Sequence, residues 1–331
     1  MSAPLPGPRG PVSEHVLEVL QGRPAGPGPA PGSAGVDVLG DDDVQLALWL
    51  LLELHHRGLE GVDPSLEGDP EVLRLRRGLE DAHLAALREL TRERLARVDD
   101  GADLADQIAA LLADDDGPSL ADFLARRADA DQVHEFLRQR SIYHLAESDP
   151  HAFVVPRLDG PAKVALAELQ YDEFGAGRPA RLHSLLFAQA LQACGLDPTY
   201  GAYLDEARAS TLAVNTTMLV LGLSRRWRGA AMGHLAAFES TSSVPCRRIA
   251  AGARRLGLPD EVEAYYDEHV EADAVHEQLA IRSICVPLVD AEPELREDVL
   301  FGVAACLELD ALAAREQLEL WRAGSVAEVS A

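Results

Sequence analysis

The chain has 331 residues, 47% of them hydrophobic, which is enough for a sizeable core. A formal charge of −25 repels nucleic acid and anionic membrane surfaces and excludes both as main partners. Cys194, Cys246, Cys285 and Cys306 form no CxxC pair and read as buried thiols of a reduced, cytoplasmic chain, not as a disulfide framework.

Residues 1–40 are rich in Pro, Gly, Ala and Ser, as in GRPAGPGPAPGSAG (22–35). Such a composition buries too little surface to offset its chain entropy, which predicts a disordered tail. It lacks a basic region followed by an apolar run, so no secretory signal is expected. Asp41 to Asp43 offer an N-cap and an acidic first turn for a helix over about 42–58. Its stretch VQLALWLLLEL is too short to span a bilayer and carries Glu53, so it reads as a core helix.

Beyond it, apolar residues recur at three and four. Helices are expected over 70–98, 119–128 and 131–148, the last stopped by Asp149-Pro150. Another over 162–175 ends at Gly175 and Gly177, and Pro179 opens the next. LDEARASTLAVNTTMLVLGLSRRW, GAAMGHLAAFEST and VPCRRIAAGARRLG follow, then YYDEHVEADAVHEQ (265–278) and two last helices over about 279–289 and 293–323. No alternating strand and no internal repeat is visible. The expectation is an all-α bundle forming one domain over 41–331, with accessory helices in 41–128 and a core in 131–323.

The chemistry concentrates in HVEADAVHE. Counting about 100° per residue, Asp273 lies about 40° from His269 and His276 about −20° from it, so all three share one stripe. Glu268, Glu271 and Glu277 point elsewhere. Imidazole nitrogen with carboxylate oxygen suits first-row metals such as iron, manganese and zinc. Metal pairs in helical bundles draw ligands from facing helices, so partners must be acids or histidines set in apolar sequence. Glu239 in HLAAFESTSS and His183 in RLHSLLFAQ fit that description. Glu147 and Glu173 lie at helix C-termini, where an acid opposes the dipole. His144, three before Glu147, is a reserve ligand. His234 and Glu239 are about 140° apart and cannot face one metal. Tyr143, Tyr171, Asp172 and Tyr266 are near enough in sequence to orient ligands. Arg225, Arg226 and Arg228 flanking Trp227 could meet a substrate carboxylate, although such clusters more often pair with surface acids.

Residues 140–277 resemble the heme-oxygenase-like diiron oxidases and oxygenases, the iron-containing redox enzymes. The resemblance rests on RSIYHLAESDPHAF, PRLDGPAKVALAELQYDEFGAGRPARLHSLLF, GLSRRWRGAAMGHLAAFE and HVEADAVHE. HxxxDxxH is its most specific mark and Glu239, thirty residues upstream of His269, the second. The N-terminal extension departs from the smallest relatives. The resemblance implies a heme-oxygenase-like bundle with His269, Asp273 and His276 on one helix, Glu239 on another and His183 on a third. Glu147 matches the acid of the first core helix, and Glu173 resembles an additional carboxylate of the N-oxygenating branch. It further implies two Fe(II) per chain, O2 as co-substrate and an external reductant. The substrate is expected to be a small amine- or amino-acid-like molecule, oxidised at nitrogen or cleaved at a C–C or C–N bond, with Glu239 and His276 central to catalysis. A homodimer is a fair expectation. Three other readings remain open: a scaffold with one structural metal, a heme enzyme, and a hydrolase with a metal-bound water.

Overall fold

The computed structural model describes residues 2–24, 28 and 37–329; of residues 271–275 and 324–329 it describes the helical backbone alone. The described residues are overwhelmingly helical, and the single β-bridge Ala3–Leu59 is the one extended pairing among them.

The first helix, α1 (Pro11–Leu20), lies inside the expected disordered tail and corrects that expectation for residues 2–24. The composition argument weighed Pro and Gly but overlooked Val16, Leu17 and Leu20, which recur at helical spacing and are buried. Asp43 accepts the Val12 and Ser13 amides and caps the start of α1. Ahead of it the chain lies strapped to the body. Ala3 exchanges hydrogen bonds with the backbone of Gly58 and Glu60, and Arg9 reaches Asp42 and the Leu204 carbonyl. Residues 25–27 and 29–36 of the expected tail lie outside the described residues.

α2 (Asp42–His56) is capped by Asp41 and buried all round from Val44 to Leu54. α3 (Pro70–Leu95), α4 (Leu104–Ala113) and α5 (Leu120–Arg126) follow. The sequence reading passed over α4, whose short apolar run lies between acidic loops. These helices pack directly on later ones: α2 against α10 (Ala209–Leu223), and α3 and α4 against α14 (Arg296–Val329).

The remaining elements carry the site. α6 (Ala130–His144) ends before Glu147, and Asp149-Pro150 starts the single turn α7 (Asp149–Ala152). α8 (Gly160–Glu173) and α9 (His183–Ala193) are joined by a tight connection in which Pro179–Arg181 is a 3-10 turn; α9 therefore begins at His183, not at Pro179. α11 (Arg228–Leu256) is one long helix where two were expected, because Pro245 is absorbed in its interior. α12 (Asp260–Gln278) continues into a π-helical segment, Leu279–Cys285, then α13 (Val286–Ala291).

α11 is the central helix and packs on α5, α12 and α14. Its crossing with α14 needs glycine: a Cβ on Gly233 would meet the Val299 carbonyl oxygen at 1.9 Å, and one on Gly302 the Ala230 oxygen at 1.9 Å. The arginine cluster pairs with acids, Arg226 with Asp298 at 2.6 Å and Arg228 with Glu292. Among the described residues, no helix is long and apolar enough to cross a membrane.

Candidate metal centre

Four packed elements and one turn converge on the site. Glu147 stands in the turn after α6, Glu173 ends α8, His183 opens α9, Glu239 lies midway along α11, and His269 and His276 share one face of α12. All six are buried, with exposures from 1% to 6%. The Asp273 side chain lies outside the described residues; its backbone occupies α12 one turn beyond His269.

Local sequence sets the approach of each group. Gly175 adopts φ +87°, and a Cβ there would lie 2.5 Å from the Arg178 carbonyl oxygen and 2.8 Å from the Leu182 amide. Glycine is thus required for the turn that folds His183 back onto Glu173. Ser148, immediately after Glu147, holds a left-handed φ of 67°, and its hydroxyl accepts from Gln170 Nε2 at 2.6 Å. That bond ties the Glu147 turn to α8. Backbone strain of this kind persists where the surrounding structure over-determines it.

The six side chains sort into two trios. Glu147, His183 and His269 each offer a ligand atom, all within 4.8 Å of one another, and Glu173, Glu239 and His276 do the same. In the first, His269 Nε2 is 3.4 Å from Glu147 Oε1. In the second, His276 Nδ1 is 3.4 Å from Glu173 Oε1 and 3.3 Å from Glu239 Oε2. The trios touch: His183 Nδ1 is 3.1 Å from Glu173 Oε2, and the His183 and His269 ring centroids are 4.5 Å apart.

These donors suit a metal. Atoms bound at about 2.1 Å to one small cation stand about 3.0–3.4 Å from each other, which the His269–Glu147, His276–Glu173 and His276–Glu239 contacts of 3.4, 3.4 and 3.3 Å match. A cavity of ≈ 40 Å³ lies among Glu147, Glu173, Glu239 and His269. Three buried carboxylates facing three imidazoles carry an excess of negative charge that a low-dielectric interior penalises unless cations offset it.

A surrounding layer orients the donors. His269 Nδ1 is 2.8 Å from the Tyr265 carbonyl; a carbonyl accepts only, so Nδ1 carries the proton and Nε2 keeps its lone pair toward Glu147. The Tyr265 hydroxyl donates to Glu147 Oε2 at 2.8 Å and stands 2.7 Å from His144 Nδ1. His144 Nδ1 is also 2.9 Å from Glu147 Oε1, so the reserve ligand lies behind Glu147 and outside both trios. Burial pushes the Glu147 carboxyl up, but His144 and His269 outweigh it and hold the group well below the usual carboxylate range. Burial pushes His183 down, and Glu173 more than reverses this, so its pKa is raised. Burial, reinforced by Glu147, raises the Tyr265 phenol well above its ordinary value and keeps it a proton donor.

Of the orienting candidates, Asp172 Oδ2 lies 3.5 Å from His276 Nε2, Tyr143 accepts from the Ser148 amide, and Tyr266 lines the small cavity. Tyr171 is exposed and stands apart. The sequence reading missed Tyr265, although its spacing of four from His269 places it on the same helical face.

The model of the iron-containing redox enzyme family matches residues 134–311, which include all six residues of the two trios. A nitrosourea synthase of Streptomyces achromogenes subsp. streptozoticus is 30% identical over 148 residues, 44% of this chain and 31% of that protein, so the similarity spans less than a third of the relative's length. With its all-helical fold and buried carboxylate–imidazole site, the chain belongs to the iron-containing redox enzyme family.

Proposed function

We propose that the chain is an O2-activating non-heme diiron oxygenase that oxidises nitrogen in a small amine- or amino-acid-like substrate. The observation that carries this reading is the contact of two buried trios through Glu173 and His183. Glu147, His183 and His269 would hold one iron, and Glu173, Glu239 and His276 the second, with Asp273 from the same stripe of α12 added to the second. Bound there, two ferrous ions would supply the two-electron reduction of O2, with an external reductant needed to restore them.

The chain's own groups do the rest. Tyr265 and His144 fix Glu147 from behind, and the Tyr265 carbonyl fixes the His269 tautomer. Asp172 is positioned to accept from the second nitrogen of His276. Carboxylates outnumber imidazoles in the second trio, which makes it the more negative of the two. Nitrogen is favoured as the reacting atom on two grounds. Glu173, which resembles an additional carboxylate of the N-oxygenating branch, sits within the second trio. The nitrosourea synthase, by its name, forms an N-nitroso compound.

The test is anaerobic loading with Fe(II), then rapid mixing with O2 under stopped-flow absorbance. An optical transient whose formation rate depends on O2, absent after zinc loading, is expected. No O2-dependent change in the iron-loaded protein would refute the reading.

A further inference from the structure

Of the six donors, Glu147 alone is carried by no helix; it stands in the turn between α6 and α7. A turn fixes a side chain less firmly than a helix does. Ser148, next to it, is held at a left-handed φ of 67°, a conformation that persists only where neighbouring contacts enforce it. Gln170 and Tyr143 supply two of those contacts, to the Ser148 hydroxyl and amide. A further set comes from the end of α2, remote in sequence from every donor.

Arg57, the residue that follows α2, brackets the turn. Its Nη1 donates to the Leu145 carbonyl, two residues before Glu147, at 2.9 Å. The same nitrogen lies 3.6 Å from Asp149 Oδ2, two residues after Glu147. Leu145 closes the C-terminus of α6, where carbonyls lack partners within the helix and the dipole favours a cation. His56 Nε2 lies 3.9 Å from the same Asp149 oxygen.

The bracket is itself held in place. The Arg57 guanidinium lies 4.6 Å over the Tyr200 ring, and the Tyr200 hydroxyl donates to Glu53 Oε2 at 2.9 Å. Glu53 Oε2 is also 3.1 Å from His56 Nδ1, and the Glu53, His56 and Tyr200 side chains are buried. Gly58, next after Arg57, accepts from the Ala3 amide, so the N-terminal strap ends on the bracket. Glu53, His56 and Arg57 all lie outside residues 134–311, the part of the chain shared with the family.

We propose that Arg57 is a positioning residue for the first trio: by holding Leu145 and Asp149 on either side of Glu147, it sets where that carboxylate meets His183 and His269. An accessory helix thus governs one half of the centre and leaves the other half alone. The inference rests on the two-iron reading of the trios.

The experiment measures Fe(II) affinity anaerobically by competition with a chromophoric chelator, in the natural full-length chain, Arg57→Met and Arg296→Met. Arg296 is the matched control: it too is part-buried and donates to a main-chain carbonyl, that of Ala102 at 3.2 Å, with Gln107 Oε1 at 2.9 Å. Arg57→Met is expected to weaken one iron by about tenfold or more and to leave the second unchanged. Arg296→Met should leave both unchanged. Natural affinity at both sites in Arg57→Met, or equal weakening of both irons, would overturn the proposal. A second measurement needs no variant. By linkage, a bracket that favours iron is tightened by it, so iron loading should slow deuterium exchange at the amides of residues 57–60 in the natural chain. Unchanged exchange there in the iron-loaded protein would also overturn the proposal. A natural chain that takes up two irons while Arg57→Met does the same refutes this proposal alone; a natural chain that takes up none refutes the two-iron reading and this proposal with it.

Discussion

Glu173 Oε2 stands 3.1 Å from His183 Nδ1, across the turn between α8 and α9. Glu173 belongs to the trio with Glu239 and His276, and His183 to the trio with Glu147 and His269. One contact therefore joins two candidate ion sites into a single centre. A turn of chain that tolerates no side chain at Gly175 brings the two residues together.

Gly175→Val should break that contact. A Cβ at 2.5 Å from the Arg178 carbonyl, in a left-handed conformation, costs about 1–3 kcal/mol and displaces His183. Reduced iron uptake, with helix content by circular dichroism nearly unchanged, is the expected outcome. Full iron uptake by this variant would show that the turn does not set the site.

Tyr265→Phe removes the hydroxyl shared by Glu147 and His144 but leaves the backbone carbonyl that orients His269. Loss of such an outer partner weakens metal affinity by about 10–100-fold. Competition with a chromophoric chelator reads this directly. One of the two irons should weaken while the other holds.

Deleting residues 1–24 should destabilise the protein. Val16, Leu17 and Leu20 are buried, and each contributes about 1.5–3 kcal/mol by burial before the cost of ordering α1 is subtracted. Differential scanning calorimetry should show Tm lower by about 5 °C or more. An unchanged Tm would mean that α1 adds nothing to the fold.

His83 predicts a pH dependence remote from the metal centre. It is fully buried; its Nδ1 faces Gln45 Nε2 at 3.1 Å and its Nε2 faces Thr217 Oγ1 at 2.8 Å. Burial lowers its pKa from 6.5 to about 3, so the unfolded chain takes up a proton that the native protein refuses. The stability it contributes is complete above pH 6.5 and is lost as pH falls toward about 3. Between pH 7.5 and 5 the loss from this group is roughly 2 kcal/mol. Urea denaturation at both pH values should show it, and His83→Gln should reduce the difference by about that amount.

Helical spacing made the α12 stripe legible, because offsets of four and three leave few alternatives for where His269 and His276 point. Glu239 stood out as an acid inside an apolar run. The grouping was not legible: nothing in a linear chain says that Glu147 joins His183 and His269 while Glu173 joins Glu239 and His276. That pairing depends on the crossing of α11 and α12 and on the turn at Gly175. Pro245 looked like a break because sequence does not reveal that α5, α12 and α14 hold α11 together around it. The N-terminal strap was hidden for a related reason. Its order depends on Asp43, Asp205 and the Leu204 carbonyl, all distant in sequence.

The central claim is that two adjoining trios hold two iron ions. Anaerobic titration of the full-length chain with Fe(II), with bound iron counted per chain, tests it most directly. The account predicts two irons in the natural protein and about one in both His269→Ala and His276→Ala, with helix content retained. Saturation at a single iron, or uptake unaffected by both substitutions, would contradict it.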